Sequence, residues 1–219
     1  MSEETKPLDD PIRVWDLPVR LFHWSLLICI VGAITTADSG DMDRHAQFGF
    51  AALVLVVFRI IWGFVGSETA RFAHFVRPPP EILAYAKEGR WRGIGHNPLG
   101  GLSVIVLLGL VLAKVLTGLF SNDDILFDGP WVSAVSKETS DWLTGLHYDL
   151  TNILYAFIAL HIGAVFWAAV KGDELIGPMV GGRKRLAVDE PRQAPLWLAV
   201  PVLAGAVILA GFVFRYWIT

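Results

Sequence analysis

Four of the six histidines in this chain of 219 residues lie within or at the ends of apolar stretches: His23, His45, His147 and His161. An ionisable side chain at membrane depth is costly, which makes each of these histidines a candidate functional residue. His147 and His161 are 14 residues apart. At 3.6 residues per turn both lie on one helix face, about 21 Å apart along the axis. A single helix is therefore predicted to present an imidazole towards each of its ends, with both facing the same way.

The apolar stretches supply the elements that would position these histidines. Hydrophobic residues make up 54% of the chain and charged residues only 18%, whereas soluble domains carry about 25% charged residues. A helix needs about 20 apolar residues to cross a bilayer. Five stretches approach that length, at residues 17–37, 47–66, 98–120, 146–170 and 196–217. Since none alternates like a barrel strand, the sequence predicts an all-α integral membrane protein with five transmembrane helices.

The composition excludes several classes of site and partner. The formal net charge of −3 gives no electrostatic attraction to nucleic acid. The single cysteine, Cys29, cannot form an internal disulfide, and it cannot provide the paired cysteines that attach a c-type haem. Cysteine-rich zinc and iron–sulfur sites are excluded for the same reason. We therefore expect membrane lipid as a partner, and no nucleic acid.

The lysines and arginines are sorted by side of the membrane. If the N-terminus is cytoplasmic, the inner segments hold 13 of the 18, with Arg20 at the membrane boundary included. The outer segments are acidic instead. Because cytoplasmic loops carry an excess of lysine and arginine, we expect the N-terminus in the cytoplasm and the C-terminus on the outer side of the membrane, which for a bacterial protein means the inner membrane and the periplasm.

The alternating direction of the spans places the four histidines at two depths. His23 and His161 lie towards the cytoplasmic side, and His45 and His147 lie at the outer side. Each pair joins two different helices. Two imidazoles facing each other across a helical bundle are the arrangement that binds haem iron from both sides. Because both axial positions would be filled, such a site is suited to electron transfer and not to binding a substrate at the iron.

Other interpretations remain open on the residues alone. Intramembrane histidines also form hydrogen bonds between helices, as they would in a haem-free membrane scaffold or transporter subunit. Arg59 and Lys114 lie within spans, where each either extends its charge to the membrane surface or pairs with a haem propionate. Arg59 would then serve the inner haem and Lys114 the outer one. His74 and His96 lie in a cytoplasmic loop and are predicted mainly to stabilise it, with contact to a quinone or a haem propionate as the alternative.

Several motifs resemble the prokaryotic cytochrome b561 family, which includes the b-type cytochrome subunits of nickel–iron hydrogenases. The resemblance covers about residues 11–185. The opening segment is the most specific of these motifs. The similar segments are VWDLPVRLFHW at 14–24, FRIIWG at 58–63, GHNPLG at 95–100 and TGLF at 117–120.

The resemblance implies a transmembrane bundle of four helices that holds two non-covalent b haems, one near each membrane face. By matching positions, the axial ligands are His23 with His161 and His45 with His147, and we add Arg59 as a cofactor-binding residue. The implied function is electron transfer between the membrane quinone pool and a periplasmic redox partner. That partner would be a cytochrome c or a dehydrogenase or hydrogenase subunit.

The corresponding domain division is a cytoplasmic N-terminal segment at 1–16, the di-haem bundle at 17–185, and a linker with an extra C-terminal helix at 186–219. The extra helix departs from the core pattern, and we favour a role in docking a partner over simple exposure to lipid. The residues do not identify the partner or the direction of electron flow. They leave open a homodimer, and they leave open whether the chain is an enzyme by itself.

Overall fold

The structure is a computed structural model that describes residues 10–89, 91 and 93–214. Within these residues most of the chain is helical. The helices are α1 (Leu17–Asp38), α2 (Met42–Val65), α3 (Phe72–Phe75), α4 (Pro79–Glu88), α5 (Pro98–Gly118), α6 (Lys137–Val170), α7 (Ile176–Gly181) and α8 (Ala199–Phe214). Helices α1, α2, α5 and α6 are each long and apolar enough to cross a membrane, as is α8 with its preceding 3-10 turn, Leu196–Leu198. The prediction of an all-α integral membrane protein with five spanning helices is confirmed.

Polar caps decide where the spanning helices begin. Asp16 accepts a hydrogen bond from the Val19 amide at 2.8 Å, and Asn97 accepts one from the Gly100 amide at 2.7 Å. Asp41 and Ser136 cap α2 and α6 in the same way. These last two helices start at 42 and 137, before the predicted 47 and 146, because their polar first turns extend beyond the apolar stretch.

The spanning helices are arranged around α2. Helix α1 packs along α2, α5 connects α2 to α6, and α8 packs on another side of α2. Val56 and Trp62 of α2 are fully buried. The Trp62 indole donates a hydrogen bond of 2.9 Å to the second carboxylate oxygen of Asp16, which joins α2 to the cap of α1. Helix α2 is therefore the centre on which the other spans are assembled.

A short two-stranded sheet links the N-terminal segment to the end of the α6–α7 region. Strand β1 (Ile12–Arg13) pairs antiparallel with β2 (Arg183–Lys184). The sequence analysis did not predict these strands. Gly182 ends α7 with φ +83°, and its carbonyl accepts the amides of Val14 and Trp15 at 2.8 and 3.1 Å. This contact between distant parts of the chain has no local sequence signal.

The fifth spanning helix is attached to the bundle by one face. Its buried residues recur every four positions, at Val202, Ala206, Ala210 and Phe214. The Phe214 ring meets Phe50 of α2 edge to face at 5.0 Å. The opposite face is exposed. Residues 215 and 217, which the sequence analysis placed at the end of this span, lie outside the described residues.

Candidate functional site: two histidine pairs in the membrane

The four intramembrane histidines form two pairs, each of which joins two helices. His23 of α1 faces His161 of α6, with ring centroids 6.4 Å apart and ring planes at 49°. His45 of α2 faces His147 of α6, with centroids 6.1 Å apart and planes at 82°. Helix α6 thus contributes one histidine to each pair, and their spacing of 14 positions separates the pairs by about 21 Å along its axis.

The spacing within each pair fits one iron ion between the two rings. A metal–nitrogen bond is about 2 Å long and a ring nitrogen lies about 1 Å from the ring centre, so two axial imidazoles have centroids about 6 Å apart. No hydrogen bond joins the two rings of either pair, for which the structure describes all four side chains. The described residues also contain no group of three or more metal-ligating side chains. A metal held here must bring its other ligands with it, as the iron of haem does.

Hydrogen bonds at the His45–His147 pair fix which ring nitrogen carries the proton. His45 Nδ1 lies 2.8 Å from the carbonyl oxygen of Ala33, and His147 Nδ1 lies 2.8 Å from that of Lys114. A carbonyl oxygen only accepts, so each Nδ1 must carry the proton. Each Nε2 is then left with a lone pair, which is the form that binds a metal.

Helix α5 shapes the pocket of His147. A Cβ atom placed on Gly118 would lie 3.0 Å from Cε1 and 3.3 Å from Nδ1 of the His147 ring. The Lys114 ammonium donates to the His147 carbonyl at 2.8 Å and to the Thr151 hydroxyl at 2.6 Å. Two of the three N–H groups of the Lys114 ammonium therefore connect α5 to α6. This contact between helices was not predicted from the sequence.

A buried cation lies near the C-terminal end of α2. Arg59 is only 2% exposed, and its guanidinium carbon lies 5.3 Å from the ring centre of Phe72 and 5.8 Å from that of Phe75. Its Nη1 is buried without a hydrogen-bond partner among the described residues. A buried guanidinium with an unused donor is suited to an anionic group such as a haem carboxylate.

His96 lies in the same region as Arg59, although its position in a loop predicted mainly a role in stabilising that loop. Its ring packs between Trp15 and Phe75, with centroid distances of 4.5 and 4.7 Å. Phe75 also contacts the Arg59 guanidinium. Burial, followed by the charges of Arg59, His74 and His161, lowers the pKa of His96 to about 3. The GHNPLG motif was the sequence signal that could have marked His96 as important. Its burial could not be predicted, because Trp15 and Phe75 are distant from it in sequence.

The lowered pKa of His96 predicts acid-sensitive stability. His96 is neutral in the fold, whereas the unfolded side chain binds a proton below about pH 6.5. Stability should therefore fall as pH drops from about 6.5 towards the folded pKa of about 3, by up to about 1.4 kcal/mol per pH unit. We expect His96→Gln to weaken this dependence in thermal unfolding of the detergent-solubilised protein at pH 5 and pH 7. The same pH dependence in both proteins would contradict the assignment.

Comparisons with known proteins identify a family whose model spans most of the chain. The family model described as prokaryotic cytochrome b561 matches residues 14–182, which include all four paired histidines and Arg59. A protein from Azotobacter vinelandii, named probable Ni/Fe-hydrogenase B-type cytochrome subunit, is 29% identical over 82% of this chain and 91% of its own length. Proteins of the same name from Bradyrhizobium diazoefficiens and Rhodobacter capsulatus are 25% and 26% identical, over 80% and 81% of this chain and 86% and 83% of their own. No solved structure matches the chain.

Proposed function

Because the chain belongs to the prokaryotic cytochrome b561 family, we propose that it carries electrons across the bacterial inner membrane through two haems. It is a multi-pass membrane protein, and its family implies haem b. The proposal adds the number of haems, their ligands and the two redox partners. The observation that carries it is the presence of two facing imidazole pairs at opposite ends of α6.

Each of the four paired histidines would hold one of the two haems. His23 and His161 would be the axial ligands of the inner haem, and His45 and His147 those of the outer haem. Bound there, each haem would supply a one-electron iron couple. The carbonyls of Ala33 and Lys114 keep the outer imidazoles in the ligating tautomer.

Other residues set the surroundings of the two sites. Leu150 and Leu154 of α6 are buried between the two histidine levels, where they exclude water. Arg59 supplies positive charge at the inner site, and its unused Nη1 would pair with a carboxylate of the inner haem. Since all four ligands lie on long spanning helices, little movement of the protein is needed between the oxidised and reduced states.

Two redox partners complete the proposal. We place the inner pair towards the cytoplasm and the outer pair towards the periplasm, with quinone as the membrane-soluble partner. The names of the relatives support a hydrogenase as the periplasmic partner. The loop between α5 and α6 carries exposed acidic residues, which would favour a basic partner surface. Those residues include Asp124 and Asp128.

A single glycine provides a local test of the outer ligand. In Gly118→Val the added side chain meets the His147 ring, so we expect loss of the bond from Nδ1 to the Lys114 carbonyl and loss of the outer haem. Gly109, on the same helix, has open space around its Cβ position, and Gly109→Val should keep both haems. Haem content per chain, measured by extraction, checks this. Equal haem content in the two variants would contradict the assignment of His147.

Electron exchange with quinone is tested in proteoliposomes. The purified haem-loaded chain is mixed without oxygen with a reduced quinol, and haem reduction is followed by absorbance. We expect reduction by the quinol, and reoxidation when an oxidised quinone of higher potential is added. A chain that binds its haems but exchanges electrons with no quinol would contradict the quinone part of the proposal and leave the haem sites intact.

A further inference from the structure

A cavity of about 310 Å³ lies beside the first turn of α1, and none of the four paired histidines lines it. Its walls come from β1, the start of α1, the α7–β2 junction and the segment that leads into α8. Three arginines line it, namely Arg13, Arg20 and Arg183. This concentration of positive charge has no part in the electron-transfer proposal.

The arginines are placed together at an electrostatic cost. Arg13 and Arg183 lie directly opposite each other in the β1–β2 ladder, and like charges in that position destabilise a strand pair. None of the three arginines forms an ion pair with a carboxylate in the part of the chain that the structure describes. An anion between them would relieve this repulsion.

Two polar groups that line the cavity have no hydrogen-bond partner among the described residues. Its acidic residue, Asp16, already accepts from the Val19 amide and the Trp62 indole. Arg20 donates from Nη1 to the Val180 carbonyl, but its Nε is buried without a partner among the described residues. The amide oxygen of Gln193 is likewise buried and unpartnered there. The cavity thus offers charged donors for an anion and one acceptor for a hydroxyl group.

The cavity also lies at the boundary of the membrane. Leu17 and Leu196 line it at the starts of two spanning segments, and their side chains are 39% and 57% exposed. A ligand would therefore meet arginines at one end and lipid-facing leucines at the other. Basic pockets between transmembrane helices bind anionic lipid headgroups, and guanidinium groups bind phosphate through paired hydrogen bonds.

We infer that this cavity binds an anionic phospholipid, with its phosphate between Arg13, Arg20 and Arg183 and its acyl chains along Leu17 and Leu196. Phosphatidylglycerol suits the site because its glycerol hydroxyls can donate to Gln193. Phosphatidylcholine has the same phosphate, but its ammonium group would be repelled by the arginines. Free inorganic phosphate shares the charge and lacks the acyl chains.

The test compares these three ligands on the haem-loaded chain in detergent micelles. Phosphatidylglycerol, phosphatidylcholine and inorganic phosphate are each titrated, and bound ligand is counted by native mass spectrometry. We expect one tightly bound phosphatidylglycerol per chain and weaker binding of phosphatidylcholine. The double variant Arg13→Gln/Arg183→Gln should bind phosphatidylglycerol about thirtyfold more weakly, while its folding is checked by thermal unfolding.

A matched control separates the cavity from general surface charge. Arg185 is exposed, follows β2 and does not line the cavity, so Arg185→Gln should bind phosphatidylglycerol like the unmodified chain. Equal weakening in Arg185→Gln and in the double variant would overturn the proposal, as would equal affinity for phosphatidylcholine. Displacement of the lipid by millimolar phosphate would assign the site to the free anion. Loss of haem from the double variant would assign the arginines to haem carboxylates.

Discussion

Replacement of His147 by alanine is expected to remove the outer haem and reduce the haem content from about two per chain to about one, since one of the two axial bonds to that iron is lost. His161→Ala should remove the inner haem in the same way. The two variants should therefore retain different haems, recognisable by their midpoint potentials. His74 belongs to neither pair, and His74→Ala serves as the control that keeps both.

Haem extraction and redox-monitored absorbance measure this result. If His147→Ala and His161→Ala both retain full haem content, the ligand assignment is wrong. A second variant distinguishes loss of a ligand from loss of the fold. His147→Gly leaves room for free imidazole, and added imidazole should restore the outer haem if only the ligand is missing.

Replacement of Arg59 by leucine should have the second largest effect, on the inner haem alone. Arg59 is a buried cation with an unused donor. Removal of its positive charge should favour the oxidised iron, because net charge near a haem sets its potential. We expect the inner midpoint potential to fall by about 60 mV or more, the change that corresponds to a tenfold shift in a one-electron equilibrium.

The charge itself is isolated by comparison with Arg59→Lys, which keeps a cation and should lower the potential by less than half as much. Potentiometric titration of both variants, with the outer haem as internal reference, makes the measurement. A shift of the outer potential in place of the inner one would contradict the position that we give to Arg59.

Much of this fold could be predicted because membrane burial leaves a strong pattern in the sequence. The length of the apolar stretches predicted the five spans. Helical periodicity placed His147 and His161 on one face. The alternating direction of the spans put His23 at the depth of His161, and His45 at the depth of His147. Each of these steps uses only one helix or the order of helices along the chain.

The surroundings of the histidines could not be predicted in that way. The ring of His96 is buried by Trp15 and Phe75, and the proton of His45 Nδ1 is held by a carbonyl of the neighbouring helix at Ala33. The strands β1 and β2 are only two residues long each and lie at distant positions in the chain. Such contacts depend on how helices pack, and no local pattern encodes them.

A redox titration of the purified wild-type chain, followed by visible absorbance and combined with a haem count, tests the central claim most directly. We predict two low-spin b haems per chain with two separable one-electron transitions, because two histidine pairs each fill both axial positions of an iron. A chain without haem absorbance, with one haem, or with high-spin iron that binds an external ligand would contradict the two-site account.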